Sequence, residues 1–196
     1  MEQKKAIKYL AKCGRIITIP PFMITGLFFI LWNTKRDVFQ NQSQFLWSVF
    51  FLGIMPVLAY IIHFAVPQLR EKGRTLQRNM AFGFTFAGYL MAVIYGICIN
   101  VSSELKTIYC IYFLAVIILS ITNFKFKKKA SGHACSTVTP IIILFLNSQV
   151  LGVLLFLMIG VLSVWSSLYL KRHLSKELVW GGCCSIIATL ISTAVI

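Results

Sequence analysis

Acidic residues are scarce in this chain, which has five Asp and Glu residues against 19 Lys and Arg residues in 196 positions. None of the five forms the Asp-x-x-x-Asp pattern that would hold Mg²⁺ through paired carboxylates, which disfavours a prenyltransferase-like enzyme. Charged residues of both signs make up only 12% of the chain, whereas an average soluble domain has about a quarter. No charged residue lies in the middle of a long apolar run, where the coupling site of a channel or transporter is expected.

The cysteines also lack an informative spacing. Six are present, and most lie inside apolar runs: Cys13, Cys98, Cys110, Cys135, Cys183 and Cys184. No spacing matches a zinc site, and we interpret these residues as small buried hydrophobes rather than a disulfide framework. We therefore predict no metal site and no cofactor.

Hydrophobic residues, in contrast, make up 58% of the chain, and the mean hydropathy is +0.82. One soluble core of this size could not bury so much apolar surface, but a bilayer replaces water around it. We predict a single membrane domain over 1–196, an all-α bundle of about six or seven transmembrane helices. The predicted spans are 16–33, 45–66, 80–101, 107–124, 134–148, 150–170 and 178–196. Pro20 and Pro21 predict a kink or a late start in the first span.

Basic residues are concentrated on one side of the predicted bundle. With seven spans, 16 of the 19 Lys and Arg residues fall on the N-terminal side, and only Lys35, Arg36 and Lys106 fall on the other. The positive-inside rule makes the N-terminal side cytoplasmic. A soluble chain with this charge would suggest nucleic acid. Because the charge lies in short connections between spans, we predict membrane lipids or a substrate phosphate as partners, and no nucleic acid.

Two polar clusters on this side each contain a histidine. The first, residues 127–133, reads Lys-Lys-Lys-Ala-Ser-Gly-His and precedes a predicted helix. Free backbone N–H groups and the positive end of the helix dipole therefore face the same space as the lysines. Ser131 and Gly132 allow the backbone to approach an anion closely. Together with Lys129 and His133, this pattern is typical of phosphate binding.

The second cluster runs from Ser166 to Glu177. Ser166 and His173 are seven residues apart and would share a face if the sixth helix continued that far. Glu177 follows His173 by four residues, close enough to hold one imidazole nitrogen and leave the other free to attack or to transfer a proton. Either cluster alone is also what an ordinary membrane-flanking stretch contains, but two on one side favour a functional site. His63, alone near the end of the second span, is predicted to make a structural hydrogen bond between helices.

These two clusters resemble the second and third motifs of the type 2 phosphatidic acid phosphatase superfamily. The second family motif is Pro-Ser-Gly-His, and residues 130–133 read Ala-Ser-Gly-His. The third is Ser-Arg, five residues, His, three residues, Asp. The corresponding positions here are held by Ser166, Ser167, His173 and Glu177. A Gly that often follows in the family is matched by Gly181, and the likeness covers mainly residues 125–185.

The resemblance implies a membrane-embedded phosphatase that works without metal and has the helix-bundle core of that superfamily. His173 would be the nucleophile and form a phosphohistidine intermediate. Glu177 would orient it in place of the family aspartate, and His133 would protonate the leaving group. The implied ligands of the substrate phosphate are Lys129, Ser131, Gly132, Ser166, Arg70 and Arg74.

The chain departs from the family pattern at two points that concern phosphate binding. The family arginine of the third motif is Ser167 here, and a bidentate guanidinium contact is worth about 3–4 kcal/mol in a transition state. The first family motif, Lys, six residues, Arg-Pro, has no exact match. The nearest segment is 70–78, a loosened version without the proline. Lys129 is predicted to compensate as a second phosphate clamp.

The number of predicted spans between the clusters allows them to meet. Two spans separate the 70–78 segment from His133, and two more separate His133 from His173, so all three return to one side of the membrane. We expect the two imidazoles to face each other across a small polar pocket, with Lys129 or Arg74 directed into it. The leading hypothesis is hydrolysis of an isoprenoid or phosphatidate-like lipid phosphate or diphosphate. The alternative is a catalytically inactive relative that binds or moves anionic lipids.

Overall fold

A computed structural model describes residues 2–196, with side chains described from residue 5 onward. This part of the chain is helical and contains no strand. The helices are α1 (Glu2–Ile17), α2 (Pro20–Thr34), α3 (Gln42–Val49), α4 (Met55–Ala65), α5 (Pro67–Glu71), α6 (Gly73–Cys98), α7 (Ser103–Phe124), α8 (Gly132–Leu146), α9 (Val150–Tyr169) and α10 (Ser175–Val195). A 3₁₀ turn at Arg36–Val38 follows α2, and a π-helical turn at Phe50–Ile54 joins α3 to α4 without a break.

Five helical segments within residues 2–196 are long and apolar enough to cross a membrane: the continuous segment Gln42–Ala65, α6, α7, α9 and α10. The pair α1 and α2 meets the same criterion as one bent span, which makes six. The predicted all-helical architecture is confirmed for the described residues, and these five to six apolar helices are compatible with a multi-pass membrane protein. The predicted span at 134–148 corresponds to α8, which has only 15 residues. At about 22 Å, α8 is shorter than a hydrocarbon core of about 30 Å.

The predicted kink at the two prolines is confirmed, because α1 and α2 meet at an angle of 60°. Pro20 has no N–H to donate, and its ring disfavours the helical conformation for the residue before it. Ile19 is accordingly extended, with φ −68° and ψ 147°. The two prolines then occupy the first positions of α2, where a missing N–H costs nothing.

Helix α1 is amphipathic and packs along α9. Its buried positions include Ala11 and Gly14, and Thr18 directly after the helix is also buried, whereas Lys8 and Lys12 are exposed. This spacing of three to four residues places the small side chains on one face. The first apolar run therefore does not begin as a straight span at residue 16. It is preceded by a basic helix whose inner face belongs to the bundle.

Helix α6 begins at Gly73, seven residues before the predicted start of the third span. Its first turns carry Arg74 and Arg78, which are both exposed. Hydropathy indicates where a helix enters lipid, but hydrogen bonding decides where the helix begins, so a polar first turn is missed by a hydropathy prediction.

Side-chain contacts show which connections share an end of the bundle. The Lys35 ammonium donates to the Asn147 side chain at 3.0 Å, which joins the connection after α2 to the turn between α8 and α9. The Ser102 hydroxyl donates to the carbonyl of Val38 at 2.6 Å, which adds the connection between α6 and α7. These three connections lie at the charge-poor end, as the alternation of predicted spans requires.

Helix α8 is the inner helix of the bundle, since it packs against α2, α7, α9 and α10. Polar side chains of α8 find partners on these neighbours, as in the contact of 2.7 Å between the hydroxyls of Thr139 and Ser185. The outer helices direct large apolar side chains outward, and Leu151 is 84% exposed. Such a surface is suited to lipid rather than to water.

Candidate functional site

The basic connection before α8 is fixed to the end of α7. The Asn123 side chain accepts a hydrogen bond from the Ala130 N–H at 2.8 Å and donates to the Ala130 carbonyl at 3.3 Å. Lys127 has a positive φ of 52°, and the N–H of Lys128 donates to the Thr122 carbonyl at 3.1 Å. The run of lysines is therefore anchored at both ends, which holds the start of α8 in a defined position.

Ser131 caps α8 and joins it to α10. Its hydroxyl accepts from the Ala134 N–H at 3.3 Å, as expected for an N-cap serine. Its own N–H donates to the carbonyl of Glu177 at 2.9 Å. A Cβ at Gly181 would collide with the Ser131 carbonyl oxygen, so only glycine allows α10 to approach this closely. The two predicted clusters thus meet through their backbones.

The predicted contact between His173 and Glu177 is present. The Nδ1 atom of His173 lies 2.8 Å from Oε2 of Glu177, and the same oxygen accepts from the Leu174 N–H at 3.3 Å. A carboxylate at Nδ1 favours the tautomer with the proton on Nδ1, which leaves Nε2 with a free lone pair. His173 therefore presents the nitrogen that a nucleophile or a base needs.

Helix α9 does not continue to His173, so the condition under which Ser166 and His173 would share a helical face is not met. The helix ends at Tyr169. Lys171 adopts a positive φ of 52°, and the N–H of Arg172 donates back to the Ser167 carbonyl at 3.0 Å. A left-handed residue with this hydrogen bond closes a helix. His173 is therefore placed by the following connection and by Glu177, not by α9.

The two serines near the end of α9 differ in their hydrogen bonds. Ser166 is buried, and its hydroxyl donates to the Ser163 carbonyl at 3.0 Å. Its hydroxyl proton is therefore used inside the helix, and its role as a phosphate ligand stays a prediction. Ser167 is 1% exposed, and its Oγ has no hydrogen-bond partner in the described chain. Of the pair, Ser167 has the hydroxyl available for a ligand.

His133 lies in the first turn of α8 with its Nε2 atom buried. That atom has no hydrogen-bond partner among the residues that the structure describes. His173 and the guanidinium of Arg15 both lie close enough to His133 to act on it electrostatically. The structure therefore brings together the two histidines that the sequence separates by 40 positions, at the basic end of the bundle.

The predicted basic ligands have different outcomes. Lys129 is exposed, and its charge acts on Glu177. Arg70 lies over the ring of Phe64 with 5.9 Å between guanidinium carbon and ring centroid, and Arg74 is exposed. No hydrogen bond or ion pair between described residues joins Arg70 or Arg74 to either histidine. Lys129 therefore lies near the site, whereas no hydrogen bond or ion pair between described residues joins the 70–78 segment to it.

His63 is buried and makes the structural contact that its isolated position predicts. Its Nε2 atom lies 3.2 Å from the carbonyl oxygen of Gly73. This contact joins α4 to the first residue of α6, and it uses the nitrogen that a catalytic role would need.

An apolar cavity of about 520 Å³ adjoins His133. It lies between α2, α4, α6, α7 and α8. Its wall includes Pro20, Tyr60, Phe82, Tyr89, Tyr112 and Leu119, and it reaches Gly132 and His133 at one end. The volume is within the range of small-molecule sites, which is roughly 300–1,000 Å³. A ligand with an apolar chain and a polar head would place its head near His133.

Arg15 is the neighbour of the site that the sequence did not indicate. It was one of many basic residues on the N-terminal side, and nothing in the cluster spacing refers to it. A signal does exist: Arg15 follows Gly14 in the helical stripe of small residues that begins at Ala11, so it lies beside the buried face of α1 rather than among the exposed lysines.

No protein-family model, no curated protein and no solved structure matches this chain.

Proposed function

We propose that this protein hydrolyses a lipid phosphate or diphosphate within the membrane, as a divergent member of the type 2 phosphatidic acid phosphatase superfamily. One observation carries the proposal. The pair formed by His173 and Glu177 lies beside His133, whose buried Nε2 has no partner in the described chain. One imidazole is oriented by a carboxylate, and the other offers a ring nitrogen to a ligand. This is the arrangement that nucleophilic and general acid catalysis requires.

In the proposed reaction, Nε2 of His173 attacks phosphorus and forms a P–N bond. The P–O bond to the leaving group breaks with its electron pair on oxygen, and His133 gives that oxygen a proton. Water then attacks the phosphohistidine, the P–N electron pair returns to His173, and His133 takes the proton from water. Inorganic phosphate is released. Glu177 holds the Nδ1 proton and stabilises the positive charge on the ring during attack.

The charges around His133 suit this proton transfer. Burial first, and then the charges of Arg15 and His173, lower the pKa of His133, so its protonated form is disfavoured while no anion is bound. A phosphate beside His133 would offset the two positive charges and favour the protonated acid when the substrate is present. Glu177 is already engaged by His173 and Leu174, and we therefore propose a mechanism that needs no metal ion.

The cavity beside His133 supports a lipid substrate. Its wall is almost entirely apolar, and burial of apolar chain surface contributes about 25 cal/mol per Å². The phosphate would lie among Lys129, His133 and His173, and the chain would lie between α2, α6 and α7. Isoprenoid and phosphatidate-like phosphates both have this form. We propose that the basic end, and with it the site, faces the cytoplasm, because the predicted alternation of spans puts 16 of the 19 basic residues on that side.

The alternative function is binding or movement of anionic lipid without catalysis. Ser167 supports it, because a serine cannot give the bidentate contact of an arginine to a transition state. A protein of this kind would retain affinity for phosphorylated lipid and would show no turnover.

Phosphate release from the purified protein in detergent tests the proposal. The substrates are a phosphatidate, an isoprenyl phosphate and an isoprenyl diphosphate. We expect His173→Ala to lower the rate by about 10³-fold or more. The matched control is His63→Gln, which replaces a histidine outside the site and keeps a donor for the Gly73 carbonyl. This control should retain activity.

A rapid quench of the wild type should also trap a phosphorylated protein that is stable in alkali and labile in acid, and His173→Ala should not form it. Equal inertness of wild type and His173→Ala toward all three lipids would end the hydrolase proposal. Binding of the same lipids by both proteins, without phosphate release, would establish the non-catalytic alternative.

A further inference from the structure

Arg15 is the basic side chain that enters the bundle next to the two histidines. Its Nη1 atom is buried and has no hydrogen-bond partner in the described part of the chain. It stands in the last turn of α1, one residue after Gly14, whose Cβ position lies 3.0 Å from the Leu162 side chain. This small residue lets α1 lie close along α9, so the arginine enters between helices instead of extending from the surface.

The direction of α1 brings the Arg15 side chain toward the end of α9. Gly14 faces Leu162, and Ile30, farther along α2, faces Gly152 near the start of α9, so the two segments run in opposite directions. Side chains on a helix tilt toward its N-terminus. The Arg15 side chain therefore extends toward the C-terminal end of α9, where Ser167 lies.

The charged groups around Arg15 have the same sign as Arg15. The charge of Arg172 acts on it, and Arg15 in turn acts on His133. Glu177, the carboxylate at this end of the bundle that pairs with His173, makes no ion pair with Arg15. Burial of a guanidinium nitrogen without a partner is costly, and a like charge beside it adds to the cost. A bound anion would offset both the missing hydrogen-bond partner and the repulsion between like charges.

Ser167 supplies a second, independent indication of a ligand. It is 1% exposed, its Oγ has no partner within the described residues, and its backbone carbonyl accepts from Arg172. Three buried polar atoms at this end of the bundle thus have hydrogen-bonding capacity to spare: Nη1 of Arg15, Nε2 of His133 and Oγ of Ser167. Their combination of a guanidinium, an imidazole and a hydroxyl is suited to a tetrahedral oxyanion.

We propose that Arg15 is the guanidinium ligand of the phosphate bound at this site, where it takes the role that Ser167 is too short to fill. The inference rests on the proposed function for its substrate, a phosphate ester or diphosphate, but it makes a separate claim about binding. It also assigns a role to α1. This helix would close the phosphate site from a side that neither residues 127–133 nor residues 166–177 occupy.

Phosphate binding by the full-length protein tests this inference separately from catalysis. The probes are inorganic phosphate and a short-chain phosphatidate, with affinity measured by titration of the thermal unfolding midpoint in detergent. We expect Arg15→Ala to weaken both affinities by about 10- to 100-fold, as for loss of a charged hydrogen bond. The matched control is Lys12→Ala. It removes one positive charge from the same helix, at an exposed position over the ring of Tyr9, and it should retain the wild-type affinity.

Two further variants keep the test decisive if Arg15→Ala unfolds. Arg15→Lys keeps the charge but loses the planar fork of donors, so it should bind about 10-fold more weakly than wild type. Arg15→Ala combined with Ser167→Arg moves the guanidinium to α9 and should recover most of the affinity. In the hydrolysis assay, Arg15→Ala should lower kcat/KM by about 10²–10³-fold.

Equal phosphate affinities of Arg15→Ala and Lys12→Ala would overturn the inference. An Arg15→Lys protein that binds phosphate like wild type would also overturn it, and so would a wild type that binds neither probe. If wild type binds phosphate without hydrolysing any lipid and Arg15→Ala loses the binding, the inference stands and the hydrolase proposal fails. Binding of both probes identifies the phosphate itself as the recognised group, and binding of phosphatidate alone identifies a lipid headgroup with its chain. Either result supports the inference when Arg15→Ala abolishes the binding.

Discussion

Gly181→Ala is the substitution whose effect the structure defines most sharply. The added Cβ would meet the Ser131 carbonyl oxygen and would lie 3.0 Å from the Cβ of Ala134. Neither group can turn aside, since one is backbone and the other is a methyl group fixed to it. Overpacking of this kind costs about 1–3 kcal/mol, which for a chain of this length lowers Tm by roughly 2–12 °C.

Gly182→Ala is the matched control for this prediction. It lies at the next position of the same helix, and its Cβ would stand at an ordinary contact distance of 3.6 Å from the Val138 side chain. Both substitutions gain about the same helix propensity, up to about 1 kcal/mol, so the difference between them isolates the collision. Thermal unfolding in detergent, followed by the fluorescence of the four tryptophans, gives the two Tm values. Agreement within about 1 °C would refute the close contact between α8 and α10.

Three further results are expected. Glu177→Gln should lower kcat for lipid phosphate hydrolysis by about 10²–10⁴-fold with little change in Tm, because a neutral amide cannot stabilise the charged ring of His173. A loss of kcat below threefold would contradict the role of the pair. Ser48→Ala should lower the free energy of unfolding by about 1–3 kcal/mol, because the buried hydroxyl of Tyr109, which lies 2.6 Å from Ser48 Oγ, loses its partner. Tyr109→Phe should lower the free energy of unfolding by less. The reverse order in thermal unfolding would count against the contact. In a cysteine-free background, Lys128→Cys should react with an impermeant maleimide only from the cytoplasmic side and Ser103→Cys only from the other, and the opposite labelling would reverse the proposed orientation.

Much of the helical layout follows from hydropathy alone. Apolar runs of about 20 residues have few alternatives to a helix in lipid, since every backbone group must find its partner within the segment. The bend at Pro20 follows equally from local chemistry. The starts of helices were harder to predict. Helix α6 begins at Gly73 because hydrogen bonds continue into a polar turn that hydropathy assigns to water.

The site was predictable where its geometry is local. Glu177 lies one helical turn after His173, and that spacing alone brings the carboxylate to the imidazole. The end of α9 was not predictable from the apolar pattern, because a left-handed Lys171 closes the helix where a glycine is the more common signal. Arg15 was missed for a different reason. Its approach to the site depends on how α1 packs against α9, and the spacing of residues between 125 and 185 gives no information about that packing.

Glu177 takes part in both halves of the site through different atoms. Its carboxylate holds the ring of His173, and its main-chain carbonyl receives the N–H of Ser131, two residues before His133. One residue therefore serves as a common reference point for both rings. Any change that displaces Glu177 would therefore disturb both imidazoles at once, one through the carboxylate and the other through the start of α8.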